Sequence, residues 1–229
     1  MDAKATAKDL ILPLKILISP FRTFSQLAQK PNVKGLISLS ALFFVVIAAT
    51  LYASAARIDL MINGQRTSFL LTDAFNSWFA SNLAISLFSV LLFWLIFATG
   101  LALLSRILSG KQVSLRVVLP NLAYLLSVFV ILYAVRTVMY LALPTISFGI
   151  SYWPPVGDTD VNAALKLMTE TWSPLYVYQF GNYFNMIAFV WLIILGAIAV
   201  KALREISWSK ALVVSAAGFF IALFLFGPV

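Results

Sequence analysis

Residues 78–108 read WFASNLAISLFSVLLFWLIFATGLALLSRIL, and no charge interrupts the run before Arg106. A stretch so long and so apolar has one stable setting. It is a helix in hydrocarbon, where each backbone N–H finds its carbonyl inside the same segment. It exceeds the roughly 20 residues that cross about 30 Å of hydrocarbon, so it predicts tilt or extension beyond the membrane. Working outward, comparable runs occupy residues 35–56, 117–143, 177–203 and 210–227, giving five crossings. The expected fold is all-α: a polytopic five-helix membrane bundle over residues 35–229, preceded by a segment, residues 1–34, that carries an interfacial helix.

Composition agrees. Of 229 residues, 62% are hydrophobic and 10% charged, against about half and a quarter in soluble domains. A lipid bilayer is therefore the solvent and the first partner. The net charge of +8 follows a sidedness that makes nucleic acid unnecessary as an explanation. Lys4, Lys8, Lys15, Arg22, Lys30 and Lys34 precede the first span; Arg106, Lys111 and Arg116 sit around the turn after the second; Lys201, Arg204 and Lys210 sit around the turn after the fourth. The other two connections, about residues 57–77 and 144–176, hold only Arg57, Arg66 and Lys166. Lysine and arginine gather on the cytoplasmic side, so the N-terminus is expected inside and the C-terminus outside a prokaryotic cell membrane.

The segment before the first span, residues 9–34, reads DLILPLKILISPFRTFSQLAQKPNVK. Ser19 is read as an N-cap with Pro20 at the first helical position, and Lys30-Pro31 as the stop. Phe21, Phe24 and Leu27 share one face, with Arg22 and Lys30 off it, the pattern of a helix at a headgroup interface or packed under the bundle. These five residues are the candidate interfacial or partner-binding site.

In the first long connection, LMINGQRTSF at residues 60–69 predicts a two-stranded hairpin turning on Asn63-Gly64. In the second, a helix is expected over residues 160–171 with Val161, Ala164, Leu165 and Met168 on one face. Trp153, Trp172, Tyr176 and Tyr178 suit an aromatic belt at the outer interface. Ala211, Ser215, Gly218 and Ala222 form a stripe of small residues along the fifth span. It is a helix-packing face, used within the bundle or, alternatively, in a homo-oligomer.

Polar groups within spans are the default functional candidates. Arg136, flanked by Tyr133 and Tyr140 at helical spacing, lies near the outer end of the third span. It is expected to snorkel to the interface, or to be held by Asp59, Asp73 or Asp158 or by polar groups at the start of the fourth span. Gln179, Asn182 and Asn185 open the fourth span at the same depth and complete a candidate intramembrane polar site. Asn121, beside Pro120, is read as serving backbone that the proline frees. With neither histidine nor cysteine, the commonest general base and the thiolate ligands are missing. The carboxylates show no acid/base or metal-ligand spacing inside a span. The chain reads as non-enzymatic, with no catalytic, cofactor-binding or metal site and no cofactor.

Three stretches carry a family likeness: ILISPFRTF at residues 16–24; LSGKQVS at 108–114 leading to Ala123-Tyr124; and Trp191 through Leu203 followed by SWSKA at 207–211. In that order and spacing the chain resembles the Yip family, the Ypt/Rab-interacting membrane proteins, and its prokaryotic members above all. DLILP at residues 9–13 stands where eukaryotic members carry Asp-Leu-aromatic-Gly-Pro. The resemblance implies a non-enzymatic membrane scaffold or partner-binding subunit in membrane organisation or trafficking, with a membrane or cytoplasmic protein as partner. The alternative is a small transporter or channel subunit with its polar site near Arg136.

Overall fold

The computed structural model describes residues 15–29, 33–62, 64–109, 113, 115–150 and 166–226. A short foot helix, Pro20–Gln29, precedes the first span helix, Val33–Ala55. The second is Asp73–Ser109. The third is built from Leu115–Ala123, a 3-10 turn Tyr124–Leu126, and Ser127–Ala142. The fourth is Tyr176–Arg204 and the fifth Trp208–Phe226. All five are long and apolar enough to cross a membrane, so the chain is a multi-pass integral membrane protein. The 37 residues of the second helix extend about 55 Å at 1.5 Å per residue, well beyond the hydrocarbon.

The ends of these elements have local causes. Ser19 is not a side-chain cap: its hydroxyl bonds back to the Lys15 carbonyl at 3.3 Å, because residues 15–18 are already helical, while its own carbonyl receives Thr23 N–H. Asp73 opens the second helix, where a carboxylate complements the macrodipole. The fourth helix stops as Glu205 turns to a φ of 57°, its N–H still reaching Lys201 O at 2.9 Å. The Ser207 carbonyl then receives Ala211 N–H to start the fifth.

The third span breaks where Pro120 removes an N–H. Asn121 Nδ2 donates to Val117 O at 2.6 Å, one residue on from the carbonyl of Arg116 that the proline cannot serve. Trp94 Nε1 donates to Leu122 O at 3.0 Å beside the 3-10 turn. Asn121 Oδ1 and Ser127 Oγ, on either side of that turn, are buried without a hydrogen-bond partner among the described residues.

The chain divides into two compact units. One holds residues 1–45, 86–131 and 187–229; the other holds 46–85 and 132–186. The first gathers the foot and both short turns. Its core is aromatic: Phe93 meets Phe129 and Phe219 edge-on at ring separations of 5.9 and 5.8 Å, geometry that ring quadrupoles favour.

The second unit gathers both long connections. The hairpin forms as Ile58–Ile62 (β1) against Gln65–Ser68 (β2), with Ile62 opposite Gln65 and Gly64 at a φ of 81°. It is not a two-stranded ribbon, however. Ile146–Ile150 (β3) pairs parallel to β1, giving the order β2-β1-β3. A parallel partner needs a long crossover, which the second and third spans supply. Under the sheet, Leu143, Ile146 and Trp172 form a buried cluster flanked by Tyr140, Leu167, Met168 and Tyr178. Trp172 is therefore core, not belt. It is 2% exposed, and its Nε1 donates to Pro144 O at 3.1 Å. Tyr176 stands exposed. Trp153 and most of the helix expected over 160–171, with Val161, Ala164 and Leu165, lie outside the described residues; residues 166–172 are helical.

Candidate functional site

In the first unit the foot is docked. Phe24 and Leu27 are buried at 1% and 4% exposure together with Thr23, and the foot packs along Leu115–Ala123. Arg22, Ser25 and Gln26 point away from that contact and are exposed. Phe21 is 55% exposed, so it does not share the burial of Phe24. It meets the Trp208 ring edge-on at 5.2 Å. Lys201 Nζ stands 5.2 Å over the same indole and reaches Ile206 O at 3.5 Å, a cation–π arrangement. Lys30 lies outside the described residues. Sequence stretches 16–24 and 207–211 therefore touch, and the foot lies on the helix that ends at Ala123.

The small-residue stripe belongs to the same unit and faces inward: Ala211, Ser215, Gly218 and Ala222 are all buried. A Cβ on Gly100 would come within 3.3 Å of the Gly218 backbone. Ser215 Oγ donates to Ile193 O at 2.6 Å. Small residues here let helices approach where lipid gives no apolar drive for association.

In the second unit, Arg136, Met139, Tyr140, Tyr178, Gly181, Asn182 and Asn185 line a cavity of about 200 Å³. With its carboxamide set to satisfy both neighbours, Asn185 accepts from Arg136 Nη2 at 3.1 Å and donates to Gly181 O at 3.2 Å. The guanidinium also lies 5.4 Å from the Tyr133 ring. Neither of the expected acids among the described residues, Asp59 and Asp73, pairs with it. Asp59 is engaged by Arg66, Asp73 is exposed in the first turn of the second helix, and Asp158 lies outside the described residues. Gln179 is not in the lining; it donates to Ser173 O at 3.4 Å.

Two supports of this site were not singled out by the sequence. Thr50, buried on the first span, has its hydroxyl 2.8 Å from Val46 O, 2.9 Å from Tyr133 O and 2.9 Å from Thr137 Oγ1. Arg57 donates from Nε to Tyr140 O at 3.1 Å and from Nη2 to Leu141 O, closing carbonyls that the end of the third span would leave open. The spacing of Thr50 from Thr137, 87 residues, leaves no local signal. Met139 against Gly181 is equally silent in sequence. Chemically the cavity presents a cation, carboxamides and phenols, with no carboxylate in its lining among the described residues. Among the described residues no group of three acids could hold a metal.

A family model described as the Yip1 domain matches residues 14–228 of the chain. No curated protein and no solved structure matches it.

Proposed function

Because the chain belongs to the Yip1 domain family, we propose that it is a non-enzymatic integral membrane scaffold that offers its docked foot, on the cytoplasmic side, to a partner protein. The observation that carries this reading is the division of labour on one short helix. Phe24 and Leu27 are spent on docking, whereas Arg22, Ser25 and Gln26 are left facing out. Docking through Phe24 and Leu27 leaves that polar face available to a partner as well as to water and headgroups. The positive-inside bias supports the cytoplasmic placement. A photo-crosslinking residue at Arg22 or Gln26 in native membranes should give a discrete protein adduct, while one at Val213, exposed on the fifth span, should give lipid alone. Lipid-only labelling at the foot as well would contradict the reading.

The cavity at Arg136 favours a second reading, a transporter or channel subunit. Its support is a cation within a span lined by carboxamides and phenols, since ionisable groups inside spans mark substrate and ion pathways. Flux of a small organic anion through proteoliposomes, lost in Arg136→Gln, would support it; vesicles that stay tight would count against it.

A further inference from the structure

We infer that the cavity at Arg136 is a binding site for the phosphate of an anionic phospholipid headgroup. The inference is independent of the scaffold reading, because the foot and the cavity share no residue.

Three observations carry it. The first is charge. A guanidinium has five N–H donors; Asn185 takes one and the Tyr133 ring faces the cation. No carboxylate pairs with it among the described residues. Asn182, Tyr140 and Tyr178 add further donors around the same space. Donors without a carboxylate among the described lining residues suit an anion with several acceptor oxygens, and the planar fork of arginine suits phosphate.

The second is depth. The apolar window of the third span runs from Val117 to Ala142. Arg136 is six residues, about 9 Å at 1.5 Å per residue, from its end at Ala142, and a window of 26 residues exceeds the hydrocarbon thickness, so that end lies near the headgroups.

The third is what flanks the site. Val138 and Leu141 on the third span and Tyr183 and Met186 on the fourth are exposed apolar or aromatic side chains, a surface for acyl chains. The cavity, about 200 Å³, falls below the roughly 300–1,000 Å³ of drug-sized pockets. It suits a headgroup whose chains stay outside.

The test is native mass spectrometry of the full chain in detergent, titrated with phosphatidylglycerol or phosphatidylcholine. The unaltered protein should retain phosphatidylglycerol at about tenfold lower lipid concentration than phosphatidylcholine, the scale of one or two cation contacts. Arg136→Gln should erase that preference, Arg136→Lys should keep part of it, and Arg66→Gln, outside the cavity, should leave it whole. Asn182→Leu, at an exposed position, should weaken retention several-fold and keeps the test open if Arg136→Gln does not fold. Equal retention of the two lipids, or undiminished preference in both Arg136→Gln and Asn182→Leu, overturns the proposal. Glycerol 3-phosphate and inorganic phosphate separate the sources: neither should displace the lipid at millimolar concentration, and displacement by either would assign the site to a soluble phosphate instead.

Discussion

Thr50 Oγ1 lies 2.9 Å from the carbonyl oxygen of Tyr133, so a hydroxyl on the first span closes onto the backbone of the third. Thr137, one turn on, adds its own hydroxyl at 2.9 Å. Tyr133 also turns its ring to Arg136. The backbone that presents the cation is thus fixed from behind by a buried contact with no charge in it.

This contact should be measurable as a coupling. Thr50→Val and Thr137→Val each remove a hydroxyl at nearly constant volume. Interhelical hydrogen bonds in membranes are worth about 0.6 kcal/mol on average and at most about 1.7. A double-mutant cycle by denaturant unfolding in detergent should return a coupling within that range. Strict additivity would show that the hydroxyls do not act together.

The packed stripe gives a contrast between two glycines. A Cβ on Gly196 would lie 2.4 Å from Ser215 Oγ and 3.0 Å from Phe97. It would displace a hydroxyl committed to Ile193 O. Gly196→Ala should therefore cost about 1–3 kcal/mol, as overpacking does. At Gly218 the nearest atoms stand at 3.5 Å, ordinary contact, and alanine is the better helix former by about 1 kcal/mol. Gly218→Ala should be neutral or stabilising in the same assay. Equal losses at both sites would contradict the packing described.

For the foot, burial ranks the side chains. Phe24→Ser and Leu27→Ser should each forfeit about 1.5–3 kcal/mol of buried apolar surface, and together they should free the segment for proteolysis in inside-out vesicles. Phe21→Ser, which loses a half-exposed ring, should do less, and Arg22→Gln least. Protection unchanged in the doubly substituted protein would show that the foot is held by something else.

The spans were legible because hydrocarbon imposes a length and a composition that no other environment demands. Their observed limits differ from the apolar runs by a few residues, chiefly where a helix continues into water, as at Asp73. The Asn-Gly turn was legible because Gly64 requires the positive φ it adopts. The third strand was not. ISFGI at residues 146–150 is a short run whose pairing with β1 depends on a crossover of two spans, and no local pattern records that. The cavity was half legible. A charge within a span announces itself, so Arg136 and the carboxamides of Asn182 and Asn185 were visible at matching depth. That Gln179 turns to Ser173, and that Asp59 is taken by Arg66, depends on side-chain reach rather than on spacing. Trp172 illustrates the same limit: a tryptophan near a span end suits a belt or a core equally, and only its bond to Pro144 O decides.

Phe24 docks the foot against Leu115–Ala123 with Arg22, Ser25 and Gln26 exposed, and the foot is proposed to lie on the cytoplasmic side of the five spans. The chain has no cysteine, so single cysteines report without background. The measurement is labelling of Arg22→Cys, Phe24→Cys and Gln65→Cys by a membrane-impermeant maleimide in sealed vesicles of each orientation. Gln65→Cys should label only in right-side-out vesicles and Arg22→Cys only in inside-out ones. Phe24→Cys should stay protected in both until the protein is denatured. Labelling of Arg22→Cys and Gln65→Cys from the same side, or of Phe24→Cys as readily as Arg22→Cys, would contradict this arrangement.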